Sequence, residues 1–254
     1  MRFSNVFQTN LPSIFTGPGL HMNFRKAKND DLDLLANRDE LRTRTEPMET
    51  VGSADPKRDL QSIETILDFV IEAEKLKSVL RKTRPVGLDR FENAAEHSWH
   101  VCLCALMLQD HANDPINIDR VLKMLLIHDL CEIDAGDTLV YASETEEVKA
   151  KERDGVRRVL GIWPEPQAER YMNLWTEFDE GVTADAVYAR AIDRLPPLLH
   201  NLHGHGHSWR EHGISLDQIL SVNSRMGKGS ETLWELMKRK IESAVRRGLL
   251  EDTQ

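Results

Sequence analysis

One habit runs from Ser62 almost to the end of the chain: apolar residues recur at intervals of three and four, and nowhere do they alternate in twos over any length. In "SIETILDFVIEAEKLKSVLRK" the residues Ile63, Ile66, Leu67, Val70, Ile71, Leu76, Val79 and Leu80 predict a first core helix that ends near Arg81. "AAEHSWHVCLCALMLQDHA" and "NIDRVLKMLLIHDLCEI" predict two buried helices, the second capped by Asn117 or Asp119. Further helices are expected over 144–160, 165–180, 184–203, 215–226 and 230–248, with "GIWPEP" and "HGHGHS" as breaks. The fold class is therefore all-α, and no fixed-period repeat organises it.

At 254 residues with 40% hydrophobic content, the chain can bury one core of ordinary size. Residues 1 to about 60 stand apart from it: the first 29 contain no acid, and the next 30 are densely charged with few large apolar side chains. That composition predicts a disordered extension before a single domain over 61–254. An acid-free start also resembles an organellar transit peptide, but it holds few arginines and no amphipathic period, so a cytoplasmic location is expected. No window approaches about 18 uninterrupted apolar residues, which argues against a membrane span. A formal charge of −9 argues against a nucleic-acid binder, so an anionic substrate would need a local positive device such as a metal ion. Cys102, Cys104 and Cys131 lie inside apolar stretches and read as reduced packing residues.

"LLIHDLCEIDAGDT", residues 125–138, concentrates the chemistry. An apolar helix ends here in His128, Asp129, Glu132, Asp134 and Asp137. Positions four apart share a helix face, so His128 and Glu132 project together with Asp129 beside them. Imidazole nitrogen and carboxylate oxygen suit a divalent cation such as Mn, Co, Ni, Fe, Mg or Zn, yet two neighbours cannot hold it alone. His97 and Asp193 are candidates for the rest, because each interrupts an otherwise apolar helical segment. Taken singly, each is better read as a satisfied core histidine or a salt-bridged aspartate, with Arg190 and Arg194 on hand as partners.

In combination, the order His, then His-Asp, then a distant Asp on separate helices resembles the HD superfamily of metal-dependent phosphohydrolases. "ENAAEHSWHV", "LKMLLIHDLCEIDAGDT" and "AIDRLPPLLHN" are similar to the corresponding segments of the 5′-deoxynucleotidase branch, from about residue 62 to the C-terminal helix. The resemblance implies a helical HD-domain bundle in which His97, His128, Asp129 and Asp193 ligate one divalent metal. It implies that Glu132 is the acid-base carboxylate and that Asp137 contacts the sugar and leaving-group side of the substrate. Arg81 matches an arginine that grips phosphate, a task suited to a guanidinium fork. The tryptophan that follows it in relatives is replaced here by a non-aromatic residue, with Arg84 nearby. The implied reaction cleaves a 5′-deoxyribonucleoside monophosphate to nucleoside and phosphate. The rivals are another HD chemistry, such as phosphodiester cleavage, and a binding module that keeps the metal as a clip.

Other histidines need a reading. His200, His203, His205 and His207 in "HNLHGHGHS" form a flexible tract that could bind metal or line the active site. His100 and Cys104 share a helix face but lack a second matched pair, so packing is the better reading. Asp134 reads as solvated. Relatives of this branch are often dimers, and Leu233, Leu236, Ile241, Val245 and Leu249 could supply an interface or pack on the chain's own core.

Overall fold

A computed structural model describes residues 56–141 and 145–249. The extension expected over residues 1 to about 60 falls mostly outside them, and helix α1 already begins at Pro56. Among the described residues there is no strand, only an isolated antiparallel bridge between Leu80 and Asn93, so the all-α expectation holds. Among the described residues no helix is long and apolar enough to cross a membrane. The elements are α1 (Pro56–Ala73), α2 (Ala94–Leu108), α3 (Ile118–Ile127), α4 (Glu132–Ala135), α5 (Glu146–Leu160), α6 (Gln167–Glu180), α7 (Ala184–Asp193), α8 (Leu195–His203), α9 (His207–Glu211), α10 (Leu216–Asn223), α11 (Met226–Gly229) and α12 (Glu231–Arg246).

The helices that carry the site start where the sequence supplies caps. Asn93 and Glu96 form a reciprocal capping box at the head of α2, Asn117 caps α3 through the Arg120 N–H, and Thr183 caps α7 through the Ala186 N–H. On α2 the buried positions Ala94, His97, Ser98, Val101 and Ala105 form one stripe at helical spacing, which carries His97 into the core. That stripe faces α3 and α7, whose buried residues include Val121, Met124, Leu125, Ala186, Tyr188, Ala189 and Ile192. Tyr188 donates its hydroxyl hydrogen to the Ala105 carbonyl at 3.0 Å, and Asp185 accepts from both Asn117 N–H and Arg120 Nε, tying α7 to α2 and α3.

Three expectations change. The first helix stops at Ala73, a 3-10 turn covers Glu74–Ser78, and Arg81 sits in the extended segment beside the Leu80–Asn93 bridge. The apolar residues Ile63, Ile66, Leu67, Val70 and Ile71 of α1 are exposed, while Phe69 and Ala73 pack against the core, with Phe69 against Trp163 at 4.7 Å between ring centroids. Periodicity reports that a face is apolar without reporting what covers it. The expected helix over 184–203 divides after Asp193, because Pro196 and Pro197 cannot donate to a continuing ladder and instead occupy the first turn of α8. On α12, Leu233 and Ile241 are buried, Val245 packs against the core and Leu236 is exposed, so this helix mainly closes the chain's own core. The three cysteines are free, as read from the sequence.

Candidate active site

The expected continuous helix through "HDLCE" is interrupted: α3 ends at Ile127, His128–Cys131 form a 3-10 turn, and α4 resumes at Glu132. The turn is held from both sides. His128 Nδ1 lies 2.8 Å from the Leu125 carbonyl, and Trp175 Nε1 donates to the His128 carbonyl at 3.0 Å. A carbonyl can only accept, so Nδ1 carries the hydrogen and Nε2 points its lone pair into the site. That Nε2 is buried without a hydrogen-bond partner; it faces Asp129 Oδ1 at 3.0 Å and Asp193 Oδ1 at 3.3 Å.

His97 arrives from α2 with its Nε2 2.8 Å from the same Asp193 oxygen, and its Nδ1 faces Glu92 Oε2 at 3.5 Å. A carboxylate can only accept, so Nε2 donates to Asp193 here, and Glu92 beside Nδ1 is the acceptor that would take the ring hydrogen when Nε2 ligates a cation. His97, His128, Asp129 and Asp193, drawn from α2, the 3-10 turn and the end of α7, therefore meet at one point. Ligand atoms of His97, His128 and Asp129 lie within 4.8 Å of one another. Two imidazoles converging on two carboxylates form a nitrogen and oxygen donor set that fits a divalent metal. The Arg190 partnership weighed for Asp193 does not form, since Arg190 donates to the Phe178 and Asp179 carbonyls.

Arg81 stands opposite, surrounded by acids. Its Nη1 lies 3.0 Å from Asp129 Oδ2, 3.6 Å from Asp137 Oδ1 and 3.8 Å from Glu132 Oε1, and its Nε lies 3.7 Å from Glu92 Oε2. Burial works against the Arg81 charge, but Asp129, Glu132 and Asp137 outweigh it and hold its pKa above the ordinary value. Asp137 reaches the cluster because Gly136 takes φ 77° and turns the chain back after α4. Burial also raises the Asp137 pKa, and burial together with the Asp129 charge pushes Glu132 up to about 10. Burial opposes ionisation of Asp193 too, yet hydrogen bonding from His128 and His97 holds its carboxyl well below the usual range. For His128, burial disfavours the cation, and Asp129 and Asp193 reverse that and raise its pKa.

Two adjoining clefts meet at this cluster and share Arg81, Asp137, Asp193 and Arg194. The smaller is walled by Lys82, Thr83, Tyr141 and Asn223, and Trp209 Nε1 donates to the Tyr141 hydroxyl at 3.1 Å. The larger contains His128, Asp129, Glu132 and Phe178.

Two functional candidates escaped the sequence reading. Glu92, 2% exposed, backs His97 and Arg81, and its signal was a carboxylate one residue before a helix cap that Asn93 and Glu96 complete without it. Arg194 was read only as a partner for Asp193, whereas its Nη1 is buried at the clefts with no hydrogen-bond partner. Arg84 turns away to Asp89 at 2.6 Å and over the Phe91 ring. Asp134 is paired with Arg158 at 2.9 Å on the surface. In the histidine tract, His203 and His205 are exposed, His207 pairs with Glu211 at 3.4 Å, and only His200 is buried; it meets Thr83 Oγ1 at 3.1 Å behind the site.

Residues 73–234 match the HD domain family. The crystal structure of a predicted metal-dependent phosphohydrolase from Magnetospirillum magnetotacticum superposes with a TM-score of 0.70 at 40% identity, covering 74% of this chain and 98% of that one. Among curated relatives, the human 5′-deoxynucleotidase HDDC2 is 24% identical over 137 residues, which is 53% of this chain and 66% of that protein. The 5′-deoxynucleotidase YBR242W of Saccharomyces cerevisiae is 23% identical over 53% of this chain and 58% of its own length. The matched span thus covers just under two thirds of the human relative and less of the yeast one. With the matched segment enclosing every residue of the cluster just described, the chain belongs to the HD-domain family of metal-dependent phosphohydrolases.

Proposed function

We propose that this chain is a phosphomonoesterase that releases inorganic phosphate from a 5′-deoxyribonucleoside monophosphate. The observation that carries the reading is the convergence of His97, His128, Asp129 and Asp193 beside Glu132 and the guanidinium groups of Arg81 and Arg194. The first four residues would hold the metal, which when bound lowers the pKa of a water toward neutrality and polarises a phosphoryl oxygen.

The remaining work belongs to the protein's own side chains. Arg194 offers an unsatisfied N–H to the phosphate, and Arg81 adds positive charge while bracing Asp129. Glu132, half-buried, with a pKa raised by desolvation and the Asp129 charge, is placed to move a proton. As water oxygen bonds to phosphorus and the bond to the ester oxygen breaks, the proton lost by water is balanced by one delivered to the leaving alkoxide, and Glu132 serves that exchange. Asp137, which lines both clefts, would contact the sugar. The 5′-deoxynucleotidase names of the curated relatives support the nucleotide choice.

The test is phosphate release from a panel of deoxy- and ribonucleoside monophosphates, p-nitrophenyl phosphate and cyclic nucleotides, using EDTA-stripped protein reloaded with Mn, Co, Ni, Mg or Zn. Metal-dependent turnover of 5′-monophosphates that is lost in Asp129→Asn supports the reading. Reloaded protein that cleaves only cyclic nucleotides, or nothing, overturns it.

A further inference from the structure

Behind His97 lies a second group of metal-ligating side chains that the proposed reaction does not use. Glu92 comes from the segment before α2, His100 from the outer part of α2 and His200 from α8. One ligand atom from each lies within 4.8 Å of the others. Glu92 and His200 are buried, at 2% and 4% exposure, and the His100 and His200 rings lie nearly parallel with centroids 6.0 Å apart.

The Glu92 carboxylate is poorly served by its neighbours. His97 Nδ1 stands 3.5 Å from Oε2, Arg81 Nε 3.7 Å from Oε2 and His200 Nε2 3.8 Å from Oε1, and Oε2 is buried with no hydrogen-bond partner. Oε2 thus faces His97 and Arg81, whereas Oε1 faces His200 across a gap too long for a hydrogen bond. A cation between His200 Nε2 and Glu92 Oε1 would fill that gap. We propose that Glu92, His100 and His200 form a second divalent-cation site, taking a borderline ion of the Zn(II) or Co(II) class through two imidazoles and one carboxylate.

The geometry suits that ion. Bond lengths of about 2.0–2.2 Å place tetrahedral ligand atoms roughly 3.2–3.6 Å apart, so the 3.8 Å between His200 Nε2 and Glu92 Oε1 needs only a small closure. Three protein ligands leave a fourth position open. His200 also lines a cleft with Thr83, Arg84 and His203, which gives an ion a route in. A cation here would tie the segment before α2 to α2 and α8. It would also fix Glu92, whose other oxygen orients His97, so occupancy of this site steadies a residue of the first cluster. The inference does not depend on which phosphate ester the enzyme cleaves.

The experiment uses the full chain, stripped with EDTA and equilibrated by dialysis with Zn(II), with metal counted by plasma mass spectrometry and ligation followed by the visible bands of the Co(II) form. The expected stoichiometry is about two ions per chain, falling to about one in His100→Ala and in His200→Ala, and to about one in Asp129→Asn. The Co(II) spectrum left in His100→Ala should differ from that left in Asp129→Asn. His100 is half-buried at the surface of α2, so its replacement leaves the core intact, and unchanged far-UV circular dichroism verifies this. A wild type that binds a single ion overturns the proposal, as does retention of both ions in the two histidine variants. Loss of one ion only when His203, His205 and His207 are replaced together would assign it to the exposed tract and equally overturn the proposal.

Discussion

Removing the metal should make the stability of this protein fall as pH rises above neutrality. In the metal-free fold two groups hold protons that the unfolded chain releases earlier. Glu132 is pushed from 4.5 up to about 10 by burial and the Asp129 charge, and His128 is raised above 6.5 because Asp129 and Asp193 outweigh its burial. A folded state that binds more protons than the unfolded one loses stability with increasing pH, and the loss continues until the folded pKa is passed. His200 works in the opposite sense: burial lowers it to about 4, which costs stability only below 6.5. The opposing slopes offset each other in mild acid, and the net decline is exposed between about pH 6.5 and pH 8.5. Each proton contributes at most about 1.4 kcal/mol per pH unit. For a domain of this size that corresponds to a fall in Tm of roughly 3–5 °C per pH unit. Thermal melts followed by far-UV circular dichroism on EDTA-dialysed protein measure the slope directly, and the Mn(II)-loaded protein should melt higher with the slope largely removed. A metal-free Tm that stays flat or rises across that window would refute the electrostatic description of the site.

Other expectations concern single residues. Glu132→Gln should lower kcat by about 10²- to 10⁴-fold while metal content stays unchanged, because only the proton carrier is lost; unchanged turnover would remove Glu132 from the chemistry. Arg194→Met should raise KM for a 5′-monophosphate by roughly tenfold or more, the worth of a hydrogen bond to a charged group, with little change in metal affinity; steady-state kinetics and metal titration together separate the two. Gly229→Ala should destabilise the fold by about 1–3 kcal/mol in urea melts, since an added Cβ would lie 2.7 Å from both the Val187 carbonyl and the Ala191 side chain of α7.

Much of the site was legible before the fold, for a specific reason. His97, His128, Asp129 and Asp193 are each polar residues placed at an end or on a buried stripe of an apolar helix, and such placements are expensive enough to stand out in a sequence. Arg194 did not stand out, because it lies beside an acid that offered it an ordinary partner, and only the shape of the clefts shows that its Nη1 is unmet. Glu92 was hidden by a neighbouring capping box that accounted for the local polarity. Helix positions were readable from period, but helix ends were not: the 3-10 turn at His128–Cys131 depends on Trp175 reaching across from α6, a contact between residues 47 apart in sequence. The direction faced by the apolar residues of α1 was likewise a tertiary fact, since Phe69 and Ala73 rather than the isoleucines meet the body.

The outward isoleucines of α1 bear on how the native state breathes. Helix α1 is joined to the body through a narrow face, Phe69 against Trp163 and Glu72 to Arg158 at 2.8 Å, while α2, α3 and α7 share the central buried stripe. Opening α1 therefore exposes little surface that water does not already reach, whereas opening α3 exposes the whole interior. Amide hydrogens of α1 should exchange through local fluctuations long before those of α3, and the metal ligands on α2, the His128–Cys131 turn and α7 should remain assembled while they do.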